Sequence, residues 1–414
     1  MVDEKFFDTK YGLKLSELEL ENRPVYPDYD DCIVNLSNSI LEYYGVKTEN
    51  KTLPAADLLL NKNKKKHVVV LLLDGLGMNI LESSLYYNDF LRRNLVCDYS
   101  SVFPPTTVAS TISFLSGKYP IEHGWLGWDV YFEKEDKTVT CFSNNLQGTD
   151  TQAADYNIPR KYLPYEDIIT KINNSGNAKA YAVFPFGPEA HSELNDWIET
   201  VKKHCHKDER NFVYAYWENP DSQLHKLGTK SLDVSKIVQE LNEKIVYLCD
   251  SCPDTTFLIT ADHGHIDISN EILTEEYPAL AEMLMRKPDI EKRAMSFYVK
   301  PEYMEKFPVE FVKLFGTDYV LFTKQEALEK NLFGYGRANE NLTGIGDYIA
   351  VAFTNRTLVW DRNDHLFRSH HAGMNSKEMR IPLICYENTP KHIWKFVYYG
   401  LIAAALAFIA MILF

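Results

Sequence analysis

The sequence predicts an α/β protein built on a doubly wound, mostly parallel central sheet with helices on both faces, followed by a C-terminal transmembrane helix. Three observations carry this: short continuous apolar runs recur along the chain, amphipathic stretches separate them, and an uncharged run closes the sequence. The 414 residues, 45% hydrophobic and 25% charged, have a globular composition and can bury a large core. Disordered and collagen-like chains are excluded.

The clearest strand is His67 to Leu73 (HVVVLLL), an unbroken β-branched and aliphatic run ending at Asp74. Such a run marks a parallel strand covered on both faces. Similar runs recur at Lys179 to Val183, Asn211 to Trp217, Thr255 to Thr260, Ala294 to Val299 and Ile381 to Cys385. Between them, Leu232 to Leu248 repeats its apolar residues at three and four, the spacing of an amphipathic helix. The segment Ser101 to Gly124 starts as a strand, turns at Pro104-Pro105 and becomes a helix at Thr107. The basic patch Lys62 to Lys66 reads as a solvated loop. Residues 270–360, richer in Gly and Asn, are expected to form a cap or edge subdomain of a body that covers 1–392.

Residues 393–414 are expected to form the anchor. Phe396 to Phe414 is an uncharged run of 19 residues, about 28 Å long as a helix, close to the ~30 Å hydrocarbon core of a bilayer. Lys391, His392 and Lys395 precede it and nothing basic follows, so the positive-inside tendency predicts a single-pass C-terminal anchor with the catalytic domain in the cytoplasm. The acidic start MVDEKFFDTKYG offers no secretory signal. Seven scattered cysteines read as reduced thiols rather than a disulfide framework. Forty-four Lys+Arg against 58 Asp+Glu give a net charge of −14, which disfavours nucleic-acid binding.

Ligands of open α/β sheets bind beyond the carboxyl ends of the strands. Here those ends carry Asp74, Asp221 and the pair Asp262-His263. In NPDSQLH, Asp221 and His225 stand four apart, so on the first turn of a helix both face a common ion. In TADHG, adjacent Asp and His before a glycine can wrap a metal from a tight turn. Ser369 to Asn375 (SHHAGMN) adds a histidine pair in a loop. A hydroxyl at the start of the helix near Thr107 serves either as an N-cap or, with the free amides there, as a receptor for an anion. The run Trp125 to Phe132 (WLGWDVYF) is either an aromatic wall beside such a site or core.

Taken together, LLLDGLG, PPTTVASTISFLSGKYPIEHG, NPDSQLH, TADHG and HHAGM resemble, in order, the motifs of the alkaline phosphatase superfamily, most closely its type I phosphodiesterase and nucleotide pyrophosphatase branch. The resemblance runs from about Lys66 to Leu383 and implies an alkaline phosphatase-like catalytic domain over 1–392. It further implies a site of two divalent metal ions, usually zinc, with manganese or iron as alternatives. One ion would be held by Asp221, His225 and His371, the other by Asp74, Asp262 and His263. Thr107 would lie between them as a metal-bound nucleophile that becomes phosphorylated. Thr106 and His370 stand as alternatives to Thr107 and His371.

Two departures bear on substrate. Val108 follows Thr107 where phosphomonoesterases of the superfamily place an arginine, which favours a diester. Trp128 stands where nucleotide pyrophosphatases commonly have an asparagine. The implied activity is hydrolysis of a small-molecule phosphodiester or pyrophosphate, with a nucleotide or a lipid headgroup as substrate, the latter suggested by the membrane anchor. Phosphomonoesterase, phosphotransferase and phosphonate hydrolase activities are the alternatives within the superfamily, and a catalytically silent scaffold is the alternative of another class. Oligomeric state is not legible.

Overall fold

The computed structural model describes residue 18 and residues 23–187, 192–342, 344–360 and 367–388. Strands β1 (His67–Leu73), β2 (Leu95–Ser100), β3 (Lys179–Val183), β4 (Asn211–Trp217), β5 (Thr255–Thr260) and β6 (Arg380–Asn388) form a central sheet in the order β2-β6-β5-β1-β4-β3. All seven residues of β1 are buried, because strands pair with it on both sides and helices cover both faces. Two separately packed helix groups flank the sheet, one built around Ile33–Tyr43, the other around Leu194–Cys205 and Leu232–Ser251. This is the doubly wound arrangement that alternating strands and helices imply.

Two strand expectations are corrected. β3, β4, β1 and β5 are parallel, but β6 runs antiparallel to both β5 and β2. It is entered from a loop at the carboxyl edge of the sheet, so it must run back across it. The strand at Ala294–Phe297 belongs to a second sheet, with no helical crossover to return it to the first. That second sheet is antiparallel throughout, in the order Tyr319–Thr323, Tyr348–Ala352, Ala294–Phe297, Asp289–Glu291, Asp129–Phe132, Lys137–Thr140, Asn145–Leu146. It draws three strands from well before residue 270. The helix Lys306–Phe315 packs against it through Phe307, Phe311 and Phe315, spaced four apart on one face.

The expected C-terminal transmembrane helix is also corrected. Among the described residues no helix is long and apolar enough to cross a membrane. The one helix of about the right length, Leu232–Ser251 with 20 residues, carries Asp233, Lys236, Glu240, Glu243, Lys244 and Asp250, so it covers a sheet instead of facing lipid. The run Phe396 to Phe414 lies outside the described residues. Among the described residues the fold class is therefore mixed α/β with no spanning helix, and they do not support the single-pass anchor or the cytoplasmic placement inferred from such a helix.

Register explains why the strand ends converge. Leu73 is level with Trp217, and Leu72 with Thr260, so β1, β4 and β5 all release the chain at one edge. β2, parallel to β5 through their shared neighbour β6, delivers the segment before Thr107 to that edge as well. The second sheet has its own apolar core, and Phe311 is fully buried in it, 5.5 Å from Phe297 and 5.1 Å from Phe315 between ring centres. Phe311→Ala should lower stability by about 3–5 kcal/mol in urea denaturation, whereas Val309→Ala, on the exposed side of the same helix, should change it by less than about 0.5 kcal/mol.

Candidate active site

Asp74 follows β1 directly, and its backbone N–H is bonded to Trp217 at the end of β4, 2.9 Å away. Asp221 opens helix α2 (Asp221–Leu227), its N–H bonded to the Asp74 carbonyl at 3.0 Å. Asp262 and His263 follow β5 after one residue. Backbone pairing alone thus brings three aspartates together, all of them buried or nearly so.

Two clusters of ligand-type atoms result, each with its atoms within 4.8 Å of one another. One joins Asp74, Asp262 and His263. The other joins Asp221, His263, His265 and His371. In the first, His263 Nε2 lies 3.3 Å from Asp74 Oδ1 and 3.7 Å from Asp262 Oδ2, while His263 Nδ1 is 3.2 Å from the Gly264 carbonyl. An Nδ1–H donated to that carbonyl leaves the Nε2 lone pair facing two carboxylate oxygens. Those oxygens, Asp74 Oδ1 and Asp262 Oδ2, are buried without a hydrogen-bond partner. Three electron-rich atoms facing one buried point, the two carboxylate oxygens without a partner, have the chemistry of a cation site.

In the second cluster, Asp221 Oδ1 lies 2.6 Å from His265 Nε2, 3.4 Å from His225 Nε2 and 3.9 Å from His371 Nε2. His225 Nδ1 is 2.9 Å from the Ser369 carbonyl, which turns Nε2 inward, and His371 Nδ1 is buried without a partner. His371 sits in the cluster. His370 does not: its Nδ1 accepts the His371 N–H at 2.9 Å, and the residue pairs with Ile266 in a short two-stranded sheet.

The expected site residues Asp74, Asp221, His225, Asp262, His263 and His371 are thus all brought together, and so is Thr107. Helix α1 (Thr107–Ser116) begins with Thr107 at its first turn, Thr106 being the N-cap residue. The Thr106 hydroxyl does not cap; it donates instead to Glu291 Oε1 at 2.6 Å. Thr107 Oγ1 points into the first cluster, 3.2 Å from His263 Nε2 and 3.4 Å from Asp74 Oδ2. The first-turn amides of α1 carry no side-chain cap and remain available to an anion.

Sequence reasoning missed His265 and Glu291. His265 was legible as the second histidine of TADHGH, placed by the Gly264 turn on the side of His263. Glu291 carries no local signal, because it arrives from the second sheet. The alternatives left open for the aromatic run divide: Trp125 is buried, whereas Trp128 is 49% exposed with its ring 6.2 Å from that of Phe142, edge to face.

The charges are unbalanced. Burial, then Asp262 and Asp221, push the Asp74 carboxyl well above its ordinary range. Burial likewise raises Asp262, against the pull of His263. Burial would raise Asp221 too, but His225, His265 and His263 hold it below the usual range. Burial pushes His265 down to about 3 and lowers His225 and His371. Neutral imidazoles and crowded carboxylates are what a bound cation requires.

Close packing of the loops holds this arrangement. A Cβ on Gly77 would come 2.3 Å from Gly264 Cα, so DGLG and DHG touch only as glycines. Glu378 ties the DHG loop to HHAG: its carbonyl accepts the Gly264 N–H at 2.8 Å, and its Oε1 accepts the Gly373 N–H at 2.7 Å. Arg293, from the second sheet, grips both oxygens of Glu378 at 2.7 Å, and both side chains are fully buried.

Residues 68–314, more than half of the chain, match the family model described as type I phosphodiesterase / nucleotide pyrophosphatase. No curated protein sequence matches the chain. Among solved structures, murine ectonucleotide pyrophosphatase / phosphodiesterase 5 aligns with a TM-score of 0.59 at 16% identity, over 79% of this chain and 90% of the other. The inactive murine protein in complex with AMP gives 0.58 at 16%, over 78% and 89%, and the human protein 0.56 at 15%, over 79% and 88%. At such identities the likeness is one of fold.

Removing one partner of the Arg293 and Glu378 pair strands a buried charge. Glu378→Ala should cost about 3–5 kcal/mol in chemical denaturation, and Glu378→Gln, which keeps an oxygen for the Gly373 N–H, should cost less.

Proposed function

The chain belongs to the type I phosphodiesterase / nucleotide pyrophosphatase family and is a hydrolase of phosphoric ester bonds, and from that premise we propose that it cleaves diesters or pyrophosphates with Thr107 as nucleophile beside two divalent cations. The observation that carries this reading is the position of Thr107 Oγ1, within 3.4 Å of both His263 and Asp74 at the uncapped start of a helix. The residues fit the cations, since each cluster combines carboxylate and imidazole donors and together they leave three buried polar atoms unpartnered. Asp74, Asp262 and His263 would hold one ion, and Asp221, His225 and His371 the other. Asp and His without Cys suits zinc, with manganese or iron as alternatives. When bound, the ions supply a lowered hydroxyl pKa and positive charge beside the attacking and leaving oxygens.

The chain's own groups do the rest. The first-turn amides of α1 receive the phosphoryl oxygens and set the phosphorus in line with Thr107. Thr107 Oγ1 gives up its proton and bonds to phosphorus as the bond to the leaving oxygen breaks, and that oxygen departs with a proton. Water then attacks the phosphothreonine, releases the phosphate or monoester and returns the hydroxyl. Val108 is fully buried and places no cation beside Thr107, which supports a monoanionic diester over a dianionic monoester.

The substrate reading narrows as well. The lipid-headgroup alternative drew on a membrane anchor, and that support is gone. The AMP bound to the murine protein supports a nucleotide diester or pyrophosphate, and the exposed face of Trp128 offers a ring on which a base can stack. The test is hydrolysis of bis-p-nitrophenyl phosphate against p-nitrophenyl phosphate by the zinc-loaded chain. The diester should be preferred, and Thr107→Ala should lower turnover by about a thousandfold or more. A monoester preference, or a Thr107→Ala chain as active as the parent, would sink this reading.

A further inference from the structure

Glu291 stands outside both ligand clusters, yet it is tied to the start of the nucleophile's helix. It ends the strand Asp289–Glu291 of the second sheet, and its Oε1 accepts two hydrogen bonds, from the Thr106 hydroxyl at 2.6 Å and from the Trp128 N–H at 3.0 Å. Thr106 immediately precedes Thr107, so the carboxyl bonds the residue next to the proposed nucleophile and also the backbone of Trp128.

The backbone that presents Glu291 is strained. Ile290 has φ +72°, a left-handed conformation that is unfavourable for a β-branched residue and persists only where surrounding structure enforces it. Ile290 is buried, and Gly127 packs so close that a Cβ there would come 2.8 Å from the Ile290 carbonyl. A strained residue that aims a carboxyl at the N-cap of a catalytic helix calls for a function.

We propose that Glu291 is a substrate-binding residue whose carboxylic acid donates a hydrogen bond from Oε2 to a non-bridging phosphoryl oxygen held beside Thr107. The proton belongs on Oε2, because Oε1 already accepts two hydrogen bonds. Glu291 is only partly buried as a residue, and neither of its two bonds engages Oε2. Burial pushes its carboxyl up to about 7, against the donors Thr106 and Trp128. Among the charged and titratable groups of the described residues that act on it, Asp129 adds to the rise and Lys292 opposes it, and the buried Cys141 thiol also faces it. The sign follows: below about pH 7 the group is a neutral donor to a phosphate anion, and above it a carboxylate that repels one.

The inference rests on the Thr107 reading, and a binding experiment separates the two. The zinc-loaded Thr107→Ala chain is titrated with bis-p-nitrophenyl phosphate by calorimetry at pH 6 and pH 8.5, alone and combined with Glu291→Gln or Glu291→Ala. This diester does not change charge over that range. With Glu291 intact, Kd should rise about tenfold from pH 6 to pH 8.5, the value of one hydrogen bond to a charged group. Glu291→Gln, a donor at both pH values, should hold its Kd and bind tighter than the Glu291 form at pH 8.5. Glu291→Ala should bind about tenfold more weakly at pH 6. A Glu291→Gln chain that keeps the pH dependence, a Glu291→Ala chain that binds as tightly as its parent at pH 6, or a parent that binds no diester at either pH overturns the proposal. Hydrolysis by the chain with Thr107 intact decides the nucleophile reading separately.

Discussion

Burying three carboxylates at one edge of a parallel sheet is the constraint to which the rest of this structure answers. Asp74, Asp221 and Asp262 are brought together by the hydrogen bonds that end β1, β4 and β5, so the fold cannot form without crowding them. Crowded, dehydrated carboxylates repel, and that repulsion must be offset. Part of the offset is visible: Tyr216 donates to Asp74, Gly75 N–H and His263 N–H each donate to Asp262 Oδ1 at 3.0 Å, and imidazoles surround Asp221. What remains is directional. Asp74 Oδ1 and Asp262 Oδ2 face His263 Nε2 with no proton between them that the geometry requires. Cations would complete such a site, as proposed above for the clusters beside Thr107.

The second sheet gives the site its rigidity. Arg293 reaches across to clamp Glu378, which holds the DHG and HHAG loops, and Glu291 reaches across to hold Thr106 and the Trp128 backbone. Both contacts come from one short stretch of chain, and Ile290, strained between Gly127 and Glu291, lies at its start. The division of labour is physical. A parallel sheet delivers side chains to one edge but cannot restrain the loops above it, whereas a second packed layer can.

How much of this was legible in the sequence depends on how local each signal is. β1 could be read because an unbroken β-branched and aliphatic run of that length suits a strand buried on both faces and little else, and Asp221 with His225 because a helix fixes their relation. The start of α1 was correct to the residue, since Pro104-Pro105 ends one element and the next opens on hydroxyls. The antiparallel direction of β6 was not legible: it depends on the side from which the chain enters, which no window of sequence records. The same holds for the second sheet, whose strands come from two distant parts of the chain. At the site, the residues singled out from local motifs come together in space, His265 was passed over although TADHGH carries it, and Glu291, Arg293 and Glu378, defined by partners about 85 to about 185 residues away, have no local signal. The apolar run at the C-terminus shows the opposite error, a strong local signal read into a placement that the described fold does not bear out.

The most direct test of the central claim is the location of bound cations by anomalous scattering at the zinc edge from crystals of the zinc-loaded chain. Two peaks about 4 Å apart are expected, one among Asp74, Asp262 and His263 and one beside Asp221, with Thr107 Oγ1 between them. A single peak away from Thr107, or none, with Asp74 Oδ1 and Asp262 Oδ2 bonded to protein donors, would contradict the two-cation site.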